Sequence, residues 1–154
     1  MEITWEEQHS SDFDWFCVDE QGEIGHFAHA GYKKLPPSVV ASREDREFVL
    51  NFFEKEANHS SDFEIDPDLT SNGGSTEERY LRSFVAMARR GLYSFDIDSH
   101  LRPKICYFRV ASPLQPVHLE DLPERVREII SRTKLPLGGL RGLSRIPYDV
   151  SLQM

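Results

Sequence analysis

The sequence predicts an α+β domain, an antiparallel sheet of about five or six strands with three helices packed on it. Three observations carry that expectation. Residues 13–18 and 24–28 are apolar runs on either side of the turn Asp19-Glu20-Gln21-Gly22, the pattern of a β-hairpin. Residues 92–98 alternate apolar and polar side chains, and residues 104–111 are a second run of strand formers. Three further stretches repeat apolar residues at helical spacing.

The elements follow in chain order. Residues 1–7 read as a short strand or a frayed arm, which Trp5 would tie down. In the hairpin, Gly22 supplies the positive φ that a short loop needs. Its aromatic residues fall on both faces, so later elements are expected to pack against it. Pro36 and Pro37 then keep the chain extended through Leu35. Ser42 caps a helix running to about Ala57, with Asp45 at the third position and Phe48, Val49, Phe52 and Phe53 as its buried stripe. Residues 58–75 read as a long polar loop, the segment expected to move most. Inside it, His59-Ser60-Ser61-Asp62-Phe63 repeats His9-Ser10-Ser11-Asp12-Phe13 letter for letter. The flanks diverge at once, so the copies read as polar lead-ins to extended segments and not as a repeat architecture.

Ser75 or Thr76 caps the second helix, whose stripe is Tyr80, Leu81, Phe84, Val85 and Ala88 and which Gly91 ends. Tyr93, Phe95 and Ile97 then take one side of a strand and Ser94, Asp96 and Asp98 the other. Residues 99–103 suit a hairpin loop into the strand at 104–111. Asp121-Leu122-Pro123-Glu124 opens the third helix, with Leu122, Val126, Ile129 and Ile130 as its stripe. After a glycine-rich connector at 135–144, Ile146, Tyr148, Val150 and Leu152 alternate with polar residues and predict a C-terminal strand. Residues 1–154 thus read as one domain.

The totals narrow the function classes. A chain of 154 residues, 39% hydrophobic and 11% aromatic, can bury a core and is not of disordered composition. No apolar run is long enough to span a bilayer, and the N-terminus lacks the basic and apolar regions of a signal peptide, which points to the cytoplasm. Cys17 and Cys106 fall within strands and read as buried, reduced thiols. The net charge of −8 divides into −14 over residues 1–78 and +6 over residues 79–154. Such a balance disfavours nucleic acid and favours a basic partner. The competing explanation is that the two halves neutralise each other within the fold.

Few constellations carry chemistry. His26 and His29 stand three apart on a strand, so they point to opposite faces and cannot chelate together. Asp66, Asp68, Thr70, Asn72 and Glu77 fall on calcium-loop spacing, but Ser71 stands where the loop needs glycine, and a solvated acidic loop is preferred. Asp96 and Asp98 share a strand face with His100 just beyond, a group suited to acid–base work or a divalent cation. The same residues suit the solvent face of an edge strand. Residues 138–142 lack the lysine of a phosphate loop, and Arg132, Lys134, Arg141 and Arg145 gather near them as a basic patch. No cofactor is implied.

Asp14-Trp15-Phe16-Cys17-Val18-Asp19 with Gly22 and Phe27, the run Arg90-Gly91-Leu92-Tyr93-Ser94-Phe95-Asp96, and Pro113-Leu114 followed by Leu119-Glu120-Asp121-Leu122-Pro123 carry a resemblance. These patches resemble a group of small uncharacterised bacterial cytoplasmic proteins. That group is loosely similar to the immunity proteins paired with polymorphic toxins. The resemblance implies a binding protein that occludes a toxin's active site, and it assigns no catalytic residue. The expected contacts are Asp12, Asp14, Asp19, Glu20 and Glu23 with the exposed member of the pair Trp15 and Phe16; Trp15 is named as the contact, against the competing reading that such a tryptophan is more often core. The alternative is an enzyme or metal-binding protein using Asp96, Asp98 and His100.

Overall fold

The computed structural model describes residues 1–31, 33–98 and 105–154. The fold is α+β. Six strands among the described residues form one curled mixed sheet: β1 (Phe13–Val18), β2 (Ile24–His29), β3 (Phe63–Ile65), β4 (Tyr93–Asp98), β5 (Cys106–Pro113) and β6 (Arg145–Pro147). Their order is β1-β2-β4-β5, with β3 and β6 both paired to β5. β6 lies beside Cys106 to Phe108 and β3 beside Ala111 to Pro113, so the two share one edge of β5 end to end. All pairings between these strands are antiparallel but one. β2 and β4 run parallel through Gly25, His26 and Phe27 against Tyr93, Ser94 and Phe95. A parallel neighbour needs a crossover, and the chain between β2 and β4 supplies it with three helices and β3. The loop expected at 99–103 lies outside the described residues.

The helices are α1 (Trp5–Ser10), α2 (Pro37–Val40), α3 (Arg43–Asn51), α4 (Glu78–Arg89), α5 (Glu124–Ile130) and α6 (Tyr148–Ser151). The longer three, α3 to α5, are the three that the periodicity predicts. Ser42 caps α3 as expected, its Oγ accepting from the Asp45 amide, and the helix continues as a π-helical turn over Phe52–Glu56. Gly91 ends α4 at φ +92. The hairpin turn also forms as expected, with Gly22 at φ +81.

Three expectations need correction. The first residues form neither a strand nor a frayed arm: Thr4 and Glu7 close a capping box and start α1. Trp5 is 61% exposed, and the anchor is Ile3, which is buried and donates its amide to the Val40 carbonyl. Residues 58–75 are not a free loop. They contain β3, and Leu69, Asp66 and Asn72 are buried. The C-terminal strand stops at Pro147, whose fixed φ serves as a helix cap, and the chain turns into α6.

Both faces of the sheet are covered. On one, Trp15 stacks on Phe27 at 4.2 Å and Phe27 on Phe95 at 4.8 Å, with Tyr107 edge-on to the first two rings. This ladder crosses β1, β2 and β4, and Ile3, Leu35, Val39, Leu135, Leu140 and Met154 close over it. On the other face, Phe16, Val18 and Ile24 meet Val49, Phe53, Met87, Val126 and Ile130 of the long helices. Phe108 and Val110 meet Phe84 and Leu69. Cys17 and Cys106 are free and buried, as expected. No helix among the described residues is long and apolar enough to cross a membrane.

The repeated pentapeptide does lead into extended chain twice. Phe13 opens β1 and Phe63 opens β3, each at an outer position of the sheet. Each ring lies under a guanidinium from a flanking helix, Arg46 at 5.0 Å and Arg89 at 4.7 Å.

Candidate functional site

The hairpin register sets Asp14 opposite Ala28, and the β2–β4 register, carried one residue on, sets Ala28 beside Asp96. All three side chains point to the helix-covered face. Ala28 is too small to fill the space between the two carboxylates. A cleft of about 210 Å³ opens there, lined by Asp12, Phe13, Asp14, Ala28, His29, Ala30 and Asp96. Small-molecule pockets usually exceed about 300 Å³, so the cleft matches a single side chain better than a cofactor.

Behind the cleft lies a buried polar relay. His26 Nε2 is 2.9 Å from Asp14 Oδ1, and His26 Nδ1 is 2.7 Å from Ser94 Oγ. Nε2–H donates to the carboxylate, and Nδ1 lies within hydrogen-bond distance of the hydroxyl. The residue types are those of an acyl-transfer triad, but Ser94 is fully buried and His26 is 1% exposed. A nucleophile must reach its substrate, so the relay is structural: it satisfies polar groups under the helices.

The two carboxylates differ in their surroundings. Burial works to raise Asp14, but the hydrogen bond and charge of His26, with Arg46 nearby, outweigh it and hold the group below the usual aspartate value. Burial prevails at Asp96 and pushes it up, although Tyr80 donates its hydroxyl at 2.7 Å and the Ile97 amide donates at 2.8 Å. Burial, with Asp96 beside it, raises Tyr80 in turn. A raised carboxyl favours folding below its unfolded value and loses that advantage as pH rises through its folded value. Asp96→Asn removes the charge; its oxygen can still accept from the Ile97 amide, and its Nδ2 can donate to the Tyr80 hydroxyl oxygen. It should therefore raise the melting temperature at pH 7, with the gain shrinking toward about pH 4. Melting curves at several pH values check this, and a gain that is constant with pH would contradict it.

The structure disperses the expected contact residues. Trp15 is fully buried in the aromatic ladder and is not a surface contact. Asp19 is 6% exposed: Oδ1 accepts from the Gln21 and Glu23 amides, and Oδ2 accepts from the Leu140 amide. Glu23 is equally enclosed, bound to Arg141 at 3.0 Å and to the Tyr93 hydroxyl at 3.2 Å. Asp12, Asp14 and Glu20 reach solvent, Asp14 in part. Asp12 and Asp14 share the cleft, whereas Glu20 stands at the turn, the far end of the hairpin. Phe16 is also buried.

The other constellations resolve similarly. Asp96 and Asp98 lie on an interior strand, not on an edge, and Asp98 is buried with Arg145 at 3.9 Å. His100 lies outside the described residues. Among the described residues no group of three or more His, Cys, Asp or Glu side chains is placed to hold a metal ion. Asp66 is committed to Arg109 and to the Asp68 amide, not to a solvated loop. His26 and His29 do face opposite ways: His29 bonds the Tyr107 hydroxyl and the Lys33 carbonyl. Of the basic patch, Arg132 pairs with Asp45, Arg141 with Glu23, and Arg145 with Asn72 and Cys106. The acidic and basic halves thus neutralise each other in part.

Comparison with protein-family models, curated proteins and solved structures finds no match to this chain.

Proposed function

We propose that this chain is a small acidic cytoplasmic binding protein that takes up a basic protein partner. Its action is to occlude the partner's active site, as an immunity protein does toward its toxin. One observation supports the reading above others. Asp12, Asp14 and Asp96 converge on a cleft of side-chain size, and among the described residues its lining contains no lysine or arginine. A lysine or arginine entering it would meet an exposed carboxylate at the rim, Asp12, and an ionised one within, Asp14. It would also relieve the repulsion between Asp12 and Asp96. The overall negative charge speeds the encounter with such a partner.

The test compares Asp12→Lys with Glu20→Lys against the basic protein that the chain retains at low salt. Both residues are exposed, and they stand at opposite ends of the hairpin. Reversal at Asp12 should weaken binding at least about tenfold, or about 1.4 kcal/mol, and flatten its salt dependence. Glu20→Lys should leave affinity nearly unchanged. Equal losses would reduce the effect to long-range charge, and no loss at Asp12 would remove the cleft from the interface.

A further inference from the structure

We propose that the groove between α4 and β3 docks an extended acidic segment of a partner protein, which adds to the sheet as a further strand beside β3. This surface is separate from the acidic cleft and has the opposite charge.

Register identifies the free hydrogen-bonding groups. Asp66 donates its amide to the Val110 carbonyl and Asp62 accepts from the Leu114 amide, so residues 62, 64 and 66 turn their backbone toward β5. Phe63 and Ile65 therefore turn their N–H and C=O groups outward, the template that an added strand uses. Beside that edge runs a groove of about 570 Å³. Its floor is Phe63, Ile65, Leu81, Val85 and Ala86, with far more apolar than polar surface. A strand laid along β3 would set alternate side chains on this floor.

Charge selects the occupant. In a chain of net charge −8, α4 carries Arg79, Arg82 and Arg89 against Glu78. All three arginines are exposed; Arg82 and Arg89 line the groove directly, against the single carboxylate of Glu78 among its described lining residues. Arg89 is held in place over the Phe63 ring. An extended segment alternating apolar and acidic residues meets all of these features together: backbone pairing, an apolar floor and guanidinium rims.

The probe is a synthetic peptide of about six residues, a usual strand length, alternating valine and glutamate. Binding is followed by fluorescence anisotropy and by amide shifts of Phe63 and Ile65. It should bind at least about tenfold more tightly than its valine–lysine counterpart. The amide shifts should be centred on β3. Methylating its alternate backbone nitrogens should abolish binding, because the pairing needs those donors. Arg82→Glu, at an exposed position, should invert the preference between the two peptides, and Val85→Glu should weaken both. Equal binding of the acidic and basic peptides, retention by the methylated peptide, or no binding of the acidic peptide would overturn the proposal. Since the readout lies on β3 and α4, none of these results bears on the acidic cleft.

Discussion

Arg109→Met is expected to cost about 3–5 kcal/mol of folding stability, the range for breaking a buried ion pair by removing one partner. Arg109 stands on β5 between the stretch paired to β6 and the stretch paired to β3. Its Nε donates to Asp66 Oδ2 at 3.1 Å, and its Nη1 donates to the Leu140 and Arg141 carbonyls at 3.2 and 2.8 Å. The Asp66 side chain is 1% exposed. Methionine would fill the stem's volume and leave a buried carboxylate with no counter-charge. The loss should be read in urea melts, because it is a large share of an ordinary stability of about 5–15 kcal/mol. Adding Asp66→Asn should restore much of it, since the amide oxygen can still accept from the Asp68 amide while the charge is gone. Arg109→Lys should fall between, because an ammonium keeps the charge and cannot span three acceptors. A double variant as unstable as Arg109→Met would place the loss in the carbonyl contacts.

Trp15→Ala should be comparably severe, about 3–5 kcal/mol for removing a large aromatic side chain from a core. The ring is the end of the ladder that continues through Phe27 to Phe95 and is braced by Tyr107. Trp15→Phe keeps a stacking ring and should recover a substantial part. Tryptophan fluorescence supplies a second readout. Trp5 is 61% exposed and Trp15 fully buried, so the native protein should show one quenchable and one protected emitter. The alanine variant should retain only the quenchable one. Unchanged stability, with loss of partner binding alone, would return Trp15 to the role of a surface contact.

The hairpin was legible because its signal is local: two apolar runs, a four-residue turn, and Gly22 at the position of positive φ. The helix α4 was legible for the same reason, its stripe and terminal glycine lying within one short window. α1 also carried a local signal, the Thr4 to Glu7 capping box, outweighed by giving Trp5 a buried role. β3 escaped because three residues with a glutamate at the centre show no strand pattern; what makes it a strand is β5, some fifty residues later. At the C-terminus the alternation of Ile146, Tyr148 and Val150 was real, yet Pro147 suits a cap, and a four-residue helix is too short to show a 3.6 period. The site divides along the same line. Once the turn is fixed, the hairpin register brings Asp14 next to His26. That Ser94, Asp96 and Tyr80 join them depends on the parallel pairing with β4. Asp19 looked like an exposed turn acid, and nothing nearby in sequence announces that Leu140 claims its second oxygen.

That parallel pairing has a kinetic consequence. Gly25 pairs with Tyr93 about seventy residues downstream, across only three residue pairs. The β1–β2 pair closes a loop of a few residues and the β4–β5 pair a modest one, so each can form early and alone. Joining them means closing the longest loop in the sheet for a register as short as any in it, and the Phe27–Phe95 stack is the contact that rewards it. The topology therefore predicts two ribbons that form first and meet at one late seam. Until the seam closes, both ribbons expose inner edges, and the time spent in that state sets how readily the chain aggregates while folding.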